Sequence, residues 1–408
     1  MRCSSACAAV ERSNVRRAVV KNSSAMLAPG ARGDIVEWGR ISHRMPYGVR
    51  MDGAYWRGRT VFVTGHTGFK GAWLCVLLEH LGARVHGYAL ETPSTFLYHR
   101  AEVADLIERD VRGDIRDTDA LTRALRESEA DVVLHLAAQS VVRDSYSNPR
   151  ETWSSNVEGT FSVLEAARSV DAVSRCVVVT TDKVYRNEEW EWGYRETDPL
   201  GGDDPYSASK ACAELVTHAM AVSFPRPGYA VATARAGNVI GGGDATPDAL
   251  VPELVASFAA GRPAQLRYPR AVRPWQHVLE PLNGYLTLAE RLSADLHDTA
   301  WNFGPRPDDQ VAVGEFATRM AARWDGSATW AATGDQGPHE AGLLALDSSR
   351  AQARLGWSPV LDVDEAIGFT TGWERAVRGG LESPREATRR QVEEFTRRAT
   401  NHDEKAGR

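Results

Sequence analysis

A glycine-rich segment, Gly65-His66-Thr67-Gly68-Phe69-Lys70-Gly71, lies between two apolar runs of different kinds. The run before it, residues 60–63, is typical of a strand, and the run after it, residues 72–81, has the length and apolar content of a helix. Gly65 permits a tight turn, Gly68 lets the backbone approach a pyrophosphate, and Gly71 allows the helix to pack on the strand. The strand, loop and helix together therefore predict a dinucleotide-binding loop, with the anion at the helix N-terminus.

Strand-like and helix-like segments alternate from this loop to about residue 235. The strand-like segments end near Thr64, Leu90, Gly113, Ala137, Thr181 and Arg235. This alternation predicts an α/β fold of the Rossmann type, a doubly wound parallel sheet. Ligands bind such sheets beyond the carboxyl ends of the strands, so we expect the loops at Asp114, Ala137 and Thr181 to form the site.

The rest of the chain has a different character. After Arg235 the alternation becomes irregular, and residues 247–260, 279–292 and 311–324 have helical patterns joined by glycine- and proline-rich connections. We therefore expect residues 53–237 to form the dinucleotide-binding domain, and residues 238–380 to form mainly a smaller, irregular α/β lobe that binds substrate. Residues 381–408 read as a charged, solvated tail.

The composition of residues 1–52 predicts an extension outside the folded domain. The segment is rich in arginine, alanine and serine, has no sustained periodicity, and has only one acidic residue, Glu11, before Asp34, so we predict disorder. A transit peptide, or a translation start at Met26, Met45 or Met51, would leave a similar segment.

The composition of the chain indicates which classes of binding partner to expect. The net charge of −6 gives no reason to expect nucleic acid, and no apolar stretch is long enough to span a bilayer. The five cysteines show neither metal-ligand spacing nor a disulfide framework, which favours a reducing cytoplasm and no metal site. We expect a small-molecule partner.

A Tyr-x-x-x-Lys pair, Tyr206 and Lys210, follows the loop that begins at Thr181. Four residues make about one helical turn, so the Lys210 ammonium can lie beside the Tyr206 phenol and lower its pKa toward the working pH. Tyr206 would then act as a base, and the Thr181 hydroxyl would help to hold a substrate alcohol during hydride transfer. Each pattern occurs by chance in many proteins, but their order after a dinucleotide loop favours hydride chemistry.

Asp182 and Lys183 are the residues that a simple dehydrogenase does not need. Once a sugar hydroxyl is oxidised to a ketone, the neighbouring C–H becomes acidic, and an adjacent base and acid can remove that proton and expel water. Desolvation favours the neutral forms of both side chains, so Lys183 suits the base and Asp182 the acid, although the assignment could be reversed. After the second strand-like run, Glu91 favours NAD over NADP, because an acidic group there would bond the ribose. His66 reads as a positioned loop side chain rather than a base.

Longer strings connect these motifs to a known family. Residues 56–373 resemble the extended short-chain dehydrogenase/reductases, and within them the CDP-glucose 4,6-dehydratases. The resemblance rests on residues 63–71, His135-Leu136-Ala137-Ala138-Gln139, Trp192-Gly193-Tyr194-Arg195-Glu196, residues 204–210, residues 234–244 and Arg273-Pro274-Trp275-Gln276-His277-Val278.

The resemblance implies a lyase that converts CDP-glucose to CDP-4-keto-6-deoxyglucose by internal NAD redox chemistry, on the way to deoxysugars and polysaccharides. Related dTDP-glucose dehydratases carry Asp-Glu where this chain has Asp182-Lys183, so the lysine indicates the CDP branch. The implied sites comprise a catalytic set (Thr181, Asp182, Lys183, Tyr206, Lys210), an NAD set (Gly65, His66, Thr67, Gly68, Phe69, Gly71, Asp114, Ile115, Ala137, Ala138, Gln139, Tyr206, Lys210) and a substrate set (Asn238, Arg235, Arg273, His277).

The resemblance also suggests a homodimer, through the helices that begin near Asn148 and Tyr206. Other functions stay open on the sequence alone: an epimerase or reductase, a dehydratase of dTDP-glucose or GDP-mannose, and a non-catalytic NAD-binding protein. The last would have no reason to keep both Tyr206 and Lys210.

Overall fold

The computed structural model describes residues 53–293, 296, 299–333 and 342–406, with side chains up to residue 400. The predicted extension, residues 1–52, lies outside them. The strands are β1 (Thr60–Thr64), β2 (Arg84–Ala89), β3 (Arg109–Arg112), β4 (Val132–His135), β5 (Arg175–Val179), β6 (Ala230–Ala236), β7 (Val239–Ile240), β8 (Ala264–Leu266), β9 (Val272–Pro274), β10 (Gln276–His277), β11 (Ala300–Phe303), β12 (Gln310–Ala312) and β13 (Trp330–Ala332). The helices are α1 (Gly53–Trp56), α2 (Phe69–His80), α3 (Leu97–Arg100), α4 (Thr118–Ser128), α5 (Val142–Ser147), α6 (Pro149–Trp153), α7 (Gly159–Ser169), α8 (Pro205–Ser223), α9 (Leu250–Ala259), α10 (Leu279–Arg291), α11 (Val313–Trp324), α12 (Ser349–Leu355), α13 (Val363–Arg378) and α14 (Pro384–Ala406).

Seven strands form one parallel sheet in the order β11-β6-β5-β4-β1-β2-β3. The chain starts in the middle, winds outward through β2 and β3, and returns through β4 to the other side, which is the order of a doubly wound dinucleotide-binding sheet. The prediction of a Rossmann-type fold is confirmed. The sequence analysis did not identify β11, a four-residue strand contributed by the segment assigned mainly to the substrate lobe.

Both faces of the sheet are covered, and the period-2 pattern of the strands shows why. On β1, Val61 and Val63 belong to one apolar cluster, while Phe62 belongs to the other. The first cluster includes side chains of α2, α10 and α14, and the second includes those of α4, α7 and α8. A parallel sheet buried on both sides explains the nearly continuous apolar character of its strands.

The last helix corrects one prediction. Residues 381–408 read as a solvated tail, but α14 packs against α2 and α13, and Ala387, Val392 and Phe395 are fully buried in the core. The physical reason lies in α2, whose residues from Gly71 to Leu78 are all buried, so this helix needs cover on its outer side as well as on the sheet side. The arginines and glutamates of α14 occupy its exposed face and mask this apolar stripe in the sequence.

The smaller lobe, formed mainly by residues after β6, has its own apolar core. It contains Leu254 and Phe258 from α9, Leu266 from β8, and Phe316 and Trp324 from α11. Two-stranded sheets, β10 with β7, β12 with β9 and β13 with β8, connect these helices. In the described part of the chain, no helix combines the length and apolar character needed to cross a bilayer.

Candidate active site

The glycine loop closes tightly between β1 and α2. Gly65 has φ +76°, and a Cβ there would lie 2.6 Å from the Ala137 nitrogen at the end of β4. A Cβ at Gly71 would overlap the carbonyl oxygen of Gly65, so the helix start and the turn can touch only if residue 71 is glycine. Gly68 is the N-cap residue of α2, and no side chain caps this helix. The first-turn N–H groups of α2 are thus left for an anion, as a pyrophosphate site requires.

The side chain of His66 points into the protein interior. Its imidazole is fully buried, its Nε2 lies 2.8 Å from Asp110 Oδ1, and its ring packs edge to face on Tyr98. Gly87 on β2 makes room for the ring, because a Cβ there would lie 2.5 Å from it. Burial lowers the pKa of His66. The side chain anchors the loop, as the sequence analysis expected, and only its backbone remains available to a dinucleotide.

Three predicted catalytic groups meet where β5 ends. The Thr181 hydroxyl donates to Asp182 Oδ1 at 2.9 Å and also hydrogen-bonds the Tyr206 phenol. All three side chains are buried. The second carboxylate oxygen of Asp182 has no hydrogen-bond partner among the described residues, and it lies against Gly237, where a Cβ would be 3.0 Å away. An unpaired buried carboxylate oxygen is costly, which is typical of a group that meets a ligand.

Tyr206 starts α8 because Asp204 caps the helix, accepting a bond from the Ser207 nitrogen, and Pro205 occupies the first turn. The expectation that Lys210 lowers the Tyr206 pKa is not met. The Lys210 ammonium instead donates to the Val179 carbonyl at 3.0 Å, and burial raises the pKa of Tyr206 while its bond with Thr181 opposes the rise. Burial and the nearby Lys70 lower the pKa of Lys210 itself to about 8.

Two residues that the sequence analysis missed belong to this cluster. Lys70, in the glycine loop, donates a long hydrogen bond of 3.5 Å to the Tyr285 hydroxyl, and Tyr285 is fully buried on α10. Desolvation lowers the pKa of Lys70 to about 8, while the Asp182 carboxylate opposes this effect. Burial raises the pKa of Tyr285, and the neighbouring Tyr206 and Asp182 add to the rise. The lysine inside the glycine motif was the available signal, but nothing in the sequence connects it to a tyrosine 215 residues away.

A cavity of about 490 Å³ opens beside this cluster and runs into the lobe. Among the predicted residues, Lys183, Asn238 and Arg273 line it, together with Ser207, the neighbour of Tyr206. This volume suits a small-molecule ligand.

Two predicted substrate residues lie elsewhere, and both predictions are corrected. Arg235 is 3% exposed and forms an ion pair with the equally buried Glu214 at 2.7 Å, so its charge is already neutralised inside the protein. His277 is fully buried between Trp73 and Phe369, with its pKa lowered to about 3 by burial. Neither residue lines the cavity, because Arg235 points from β6 and His277 from β10 into the core.

The remaining predicted cofactor residues sit at the carboxyl edge of the sheet. Asp114 follows β3, and its carboxylate holds the Arg116 guanidinium at 2.5 Å. Ile115 is buried against Gly159. Ala137 donates its N–H to Thr64, and the Gln139 backbone is fixed by Asn156 at 2.9 Å. Glu91, just past β2, bonds Arg112 at 2.6 Å and remains exposed.

Comparison with known proteins shows the family to which this chain belongs. A family model described as GDP-mannose 4,6 dehydratase matches residues 62–369. The chain is 45% identical over 339 residues to CDP-glucose 4,6-dehydratase of Salmonella typhimurium, covering 81% of this chain and 94% of that protein. It is 30% identical to a dTDP-glucose 4,6-dehydratase of Xanthomonas campestris pv. campestris over 77% of this chain and 92% of the relative.

Solved structures agree on the fold. DesIV, a dTDP-glucose 4,6-dehydratase from Streptomyces venezuelae solved with NAD and TYD bound, is 26% identical with a TM-score of 0.67, covering 79% of this chain and 98% of that one. A UDP-glucuronic acid 4-epimerase from Bacillus cereus is 23% identical with a TM-score of 0.68, covering 78% and 99%, and shows the fold alone. The chain belongs to the nucleotide-sugar 4,6-dehydratase family that the GDP-mannose 4,6 dehydratase model describes, within the extended short-chain dehydrogenase/reductases.

Proposed function

We propose that this protein is a lyase that converts CDP-glucose to CDP-4-keto-6-deoxyglucose and water. The observation that carries the proposal is the position of Lys183, which lines the cavity, while the two residues before it, Thr181 and Asp182, form a buried cluster with the Tyr206 phenol. The residues proposed for oxidation and the proposed acid–base pair thus lie together beside one end of the cavity. The 45% identity to a CDP-glucose 4,6-dehydratase, over 94% of that relative, supports the nucleotide.

We propose NAD as the resident cofactor, because the loop geometry suits a dinucleotide. The uncapped start of α2 would hold the pyrophosphate through the backbone of residues 65–71. Asp114, Ile115 and the segment from Ala137 to Gln139 would border the adenosine and nicotinamide halves, and Glu91 would accept from the ribose. When bound, the nicotinamide takes up hydride and later returns it, so the reaction needs no external oxidant.

The first step oxidises C4 of the sugar. Tyr206 accepts the proton of the C4 hydroxyl as hydride leaves the same carbon, and Thr181 holds the oxygen through its own hydroxyl. Because burial raises the pKa of Tyr206, the neutral phenol predominates at neutral pH in the protein described here, and the base needs a nearby positive charge to lose its proton. Lys210, on the same helix, positions that end of the site through the Val179 carbonyl.

The second step removes water across C5 and C6. The C4 ketone acidifies the C5 proton, which passes to Lys183, and the C6–O bond breaks as Asp182 gives a proton to the departing hydroxide. The product of elimination has a C5–C6 double bond conjugated to the ketone. Lys183 then returns its proton to C5 as C6 is reduced, which yields the 4-keto-6-deoxy sugar. The proton that Tyr206 took from the C4 hydroxyl passes through the Thr181 hydroxyl to Asp182 and restores both groups.

The substrate diphosphate requires cations and amide donors inside the cavity. Arg273 and Asn238 both line it and are proposed for this role. Arg273 is 6% exposed, so its charge acts where water is largely excluded.

The direct test is mass spectrometry of products after incubation with CDP-glucose, dTDP-glucose and GDP-mannose in parallel, with catalytic NAD. Loss of one water from CDP-glucose alone is expected. Water loss from a different nucleotide sugar would overturn the assigned substrate, and isomers or net NADH without water loss would favour an epimerase or dehydrogenase.

Two variants test the assigned steps. Tyr206→Phe should abolish the appearance of enzyme-bound NADH, since the alcohol proton has no acceptor, whereas the exposed Tyr146→Phe should behave as wild type. Lys183→Met should still form NADH and 4-ketoglucose but slow product formation by about 10²–10⁴-fold, the usual effect of losing a general base. Normal product formation by Lys183→Met would reject its role.

We also propose a homodimer that acts in the cytoplasm. Trp153 and Phe161 on the α6–α7 segment and Leu215 on α8 leave 40–57% of their surfaces exposed, and these helices pack against each other. Exposed large apolar side chains on adjacent helices are typical of an interface. Light scattering should give twice the chain mass, and Phe161→Glu should give a monomer; a monomeric wild type would refute the interface. The buried free thiols of Cys75 and Cys176 suit a reducing compartment.

A further inference from the structure

The cavity has two ends of different construction. At the sheet end lie Lys183 and Ser207, and at the lobe end lie residues of α9 and β8. If the proposed function holds, the sugar occupies the sheet end, and the diphosphate and ribose follow along the cavity. The base of the nucleotide then reaches the lobe end.

Carboxylates line this cavity at six positions: Glu189, Asp203, Asp204, Asp244, Asp248 and Glu253. Four of them already have partners within the protein. Asp204 caps α8 and Asp244 accepts from the Thr246 nitrogen at 2.9 Å. Asp248 lies 4.0 Å from the Arg143 guanidinium, and Glu189 accepts from the Gly342 nitrogen.

The other two carboxylates differ in position. Asp203 is exposed and lies just before α8, three residues before Tyr206. This position is at the end of the cavity that the sugar would occupy. Glu253 is half-buried in the first turn of α9, in the lobe. Within the described residues its carboxylate has no hydrogen bond and no ion pair. The N-terminal end of α9 stabilises a negative charge there.

We propose that Glu253 selects cytosine at the lobe end of the cavity. Cytosine carries an exocyclic amine, a donor, where uracil and thymine carry a carbonyl oxygen, an acceptor. A carboxylate accepts from the amine and repels the carbonyl, so one side chain both favours CDP and rejects UDP and dTDP. This inference rests on the proposed function and adds the residue that distinguishes the base.

Neighbouring groups complete the chemistry of a base site. Leu250 and Leu266 line the same end and offer apolar surfaces to the faces of a ring. Arg267, on the residue after β8, is half-buried in the cavity wall and can donate to the N3 and O2 acceptors of cytosine. An acceptor and a donor side chain on adjacent elements thus match the donor–acceptor edge of cytosine.

The test compares bases with and without catalysis. Glu253→Gln is isosteric and turns the acceptor into a group that can also donate to the O4 carbonyl. It should lower kcat/KM for CDP-glucose by about 10–100-fold, which is the effect of losing one polar contact to a base, and raise kcat/KM for UDP-glucose. Calorimetric titration with CDP and UDP should show the same reversal in Kd. Glu253→Asp, which keeps the charge on a shorter stem, should retain a preference for CDP.

Asp248→Asn is the matched control. The substitution removes a negative charge from the same cavity, but the Asp248 carboxylate already has Arg143 as a partner within the protein. It should leave the CDP/UDP ratio unchanged. An unchanged ratio in Glu253→Gln, or an equal loss for both nucleotides, would overturn the assignment. If the wild type binds CDP over UDP but dehydrates no CDP-glucose, the proposed function fails while the selection by Glu253 is still measured by the titrations.

Discussion

A substitution at Arg235 tests whether this arginine stabilises the fold or binds the substrate. It lies on β6, 3% exposed, with Nη2 2.7 Å from Glu214 and Nη1 2.8 Å from the Tyr185 hydroxyl. At an effective dielectric of about 20, two charges at this separation attract by about 6 kcal/mol before desolvation is subtracted. Arg235→Met keeps much of the side-chain volume but leaves Glu214 buried without a cation.

The expected cost is about 3–5 kcal/mol in the free energy of unfolding, the usual result of breaking a buried pair from one side. Glu214 keeps its hydrogen bonds from the hydroxyls of Thr180 and Thr233, which prevents a larger loss. Urea unfolding followed by tryptophan fluorescence measures this change. The double variant Arg235→Met/Glu214→Gln removes the stranded charge and should recover at least half of the loss.

Activity is the second half of this test. Because Arg235 does not line the cavity, the KM of the variant for CDP-glucose should stay within about twofold of the wild-type value. The assay is run without urea, where the variant is folded. An unchanged unfolding midpoint together with a KM raised more than tenfold would return Arg235 to the substrate site and refute the reasoning.

Three further changes test the fold and its charges. Burial raises the pKa of Glu280 from 4.5 to about 8, so ionisation of this carboxyl lowers the free energy of unfolding of the wild type as pH rises through that window. The free energy of unfolding of Glu280→Gln, measured in urea, should therefore rise relative to that of the wild type between pH 5.5 and 8.5. A decrease of this difference with pH would contradict the assignment. Phe395→Ala should cost about 3–5 kcal/mol by opening a cavity between α14 and the core, whereas a loss below 1 kcal/mol would restore the solvated tail. Gly71→Ala should abolish NAD binding in a calorimetric titration, because the new Cβ overlaps the Gly65 carbonyl; normal affinity would show that the loop can move aside.

Local patterns predicted which residues meet at the end of β5, because the relevant rules act over a few residues. Parallel strands end at one edge of a sheet, so the residues after β5 were expected near the glycine loop after β1. The cap at Asp204 and the proline at 205 fix the start of α8, and with it the position of Tyr206. These features need only strand order and one helix start, both of which the sequence carries.

Burial and pairing over long distances were not predictable in the same way. Arg235 was expected at the end of a strand, beside the substrate, but its side chain faces inward from β6 toward Glu214, on the helix that precedes the strand. His277 ends a two-residue strand, too short to show a period. In both cases the same residue type could serve a ligand or the core, and only the packing of distant elements decides between them.

Fold similarity alone does not decide the reaction. The Bacillus cereus epimerase and the Streptomyces venezuelae dehydratase have TM-scores of 0.68 and 0.67 to this chain, so the scaffold fits both chemistries equally. An epimerase also needs an alcohol base and a hydride carrier, but it breaks no C–O bond and has no use for a second acid–base pair. The decision therefore falls on residues 182 and 183: one carboxylate oxygen of Asp182 is held by Thr181 and the other is left without a partner among the described residues, while Lys183 faces the cavity. A fold evolved only to oxidise and reduce would gain stability by pairing that buried oxygen, so the cost of leaving it open is itself an argument for elimination.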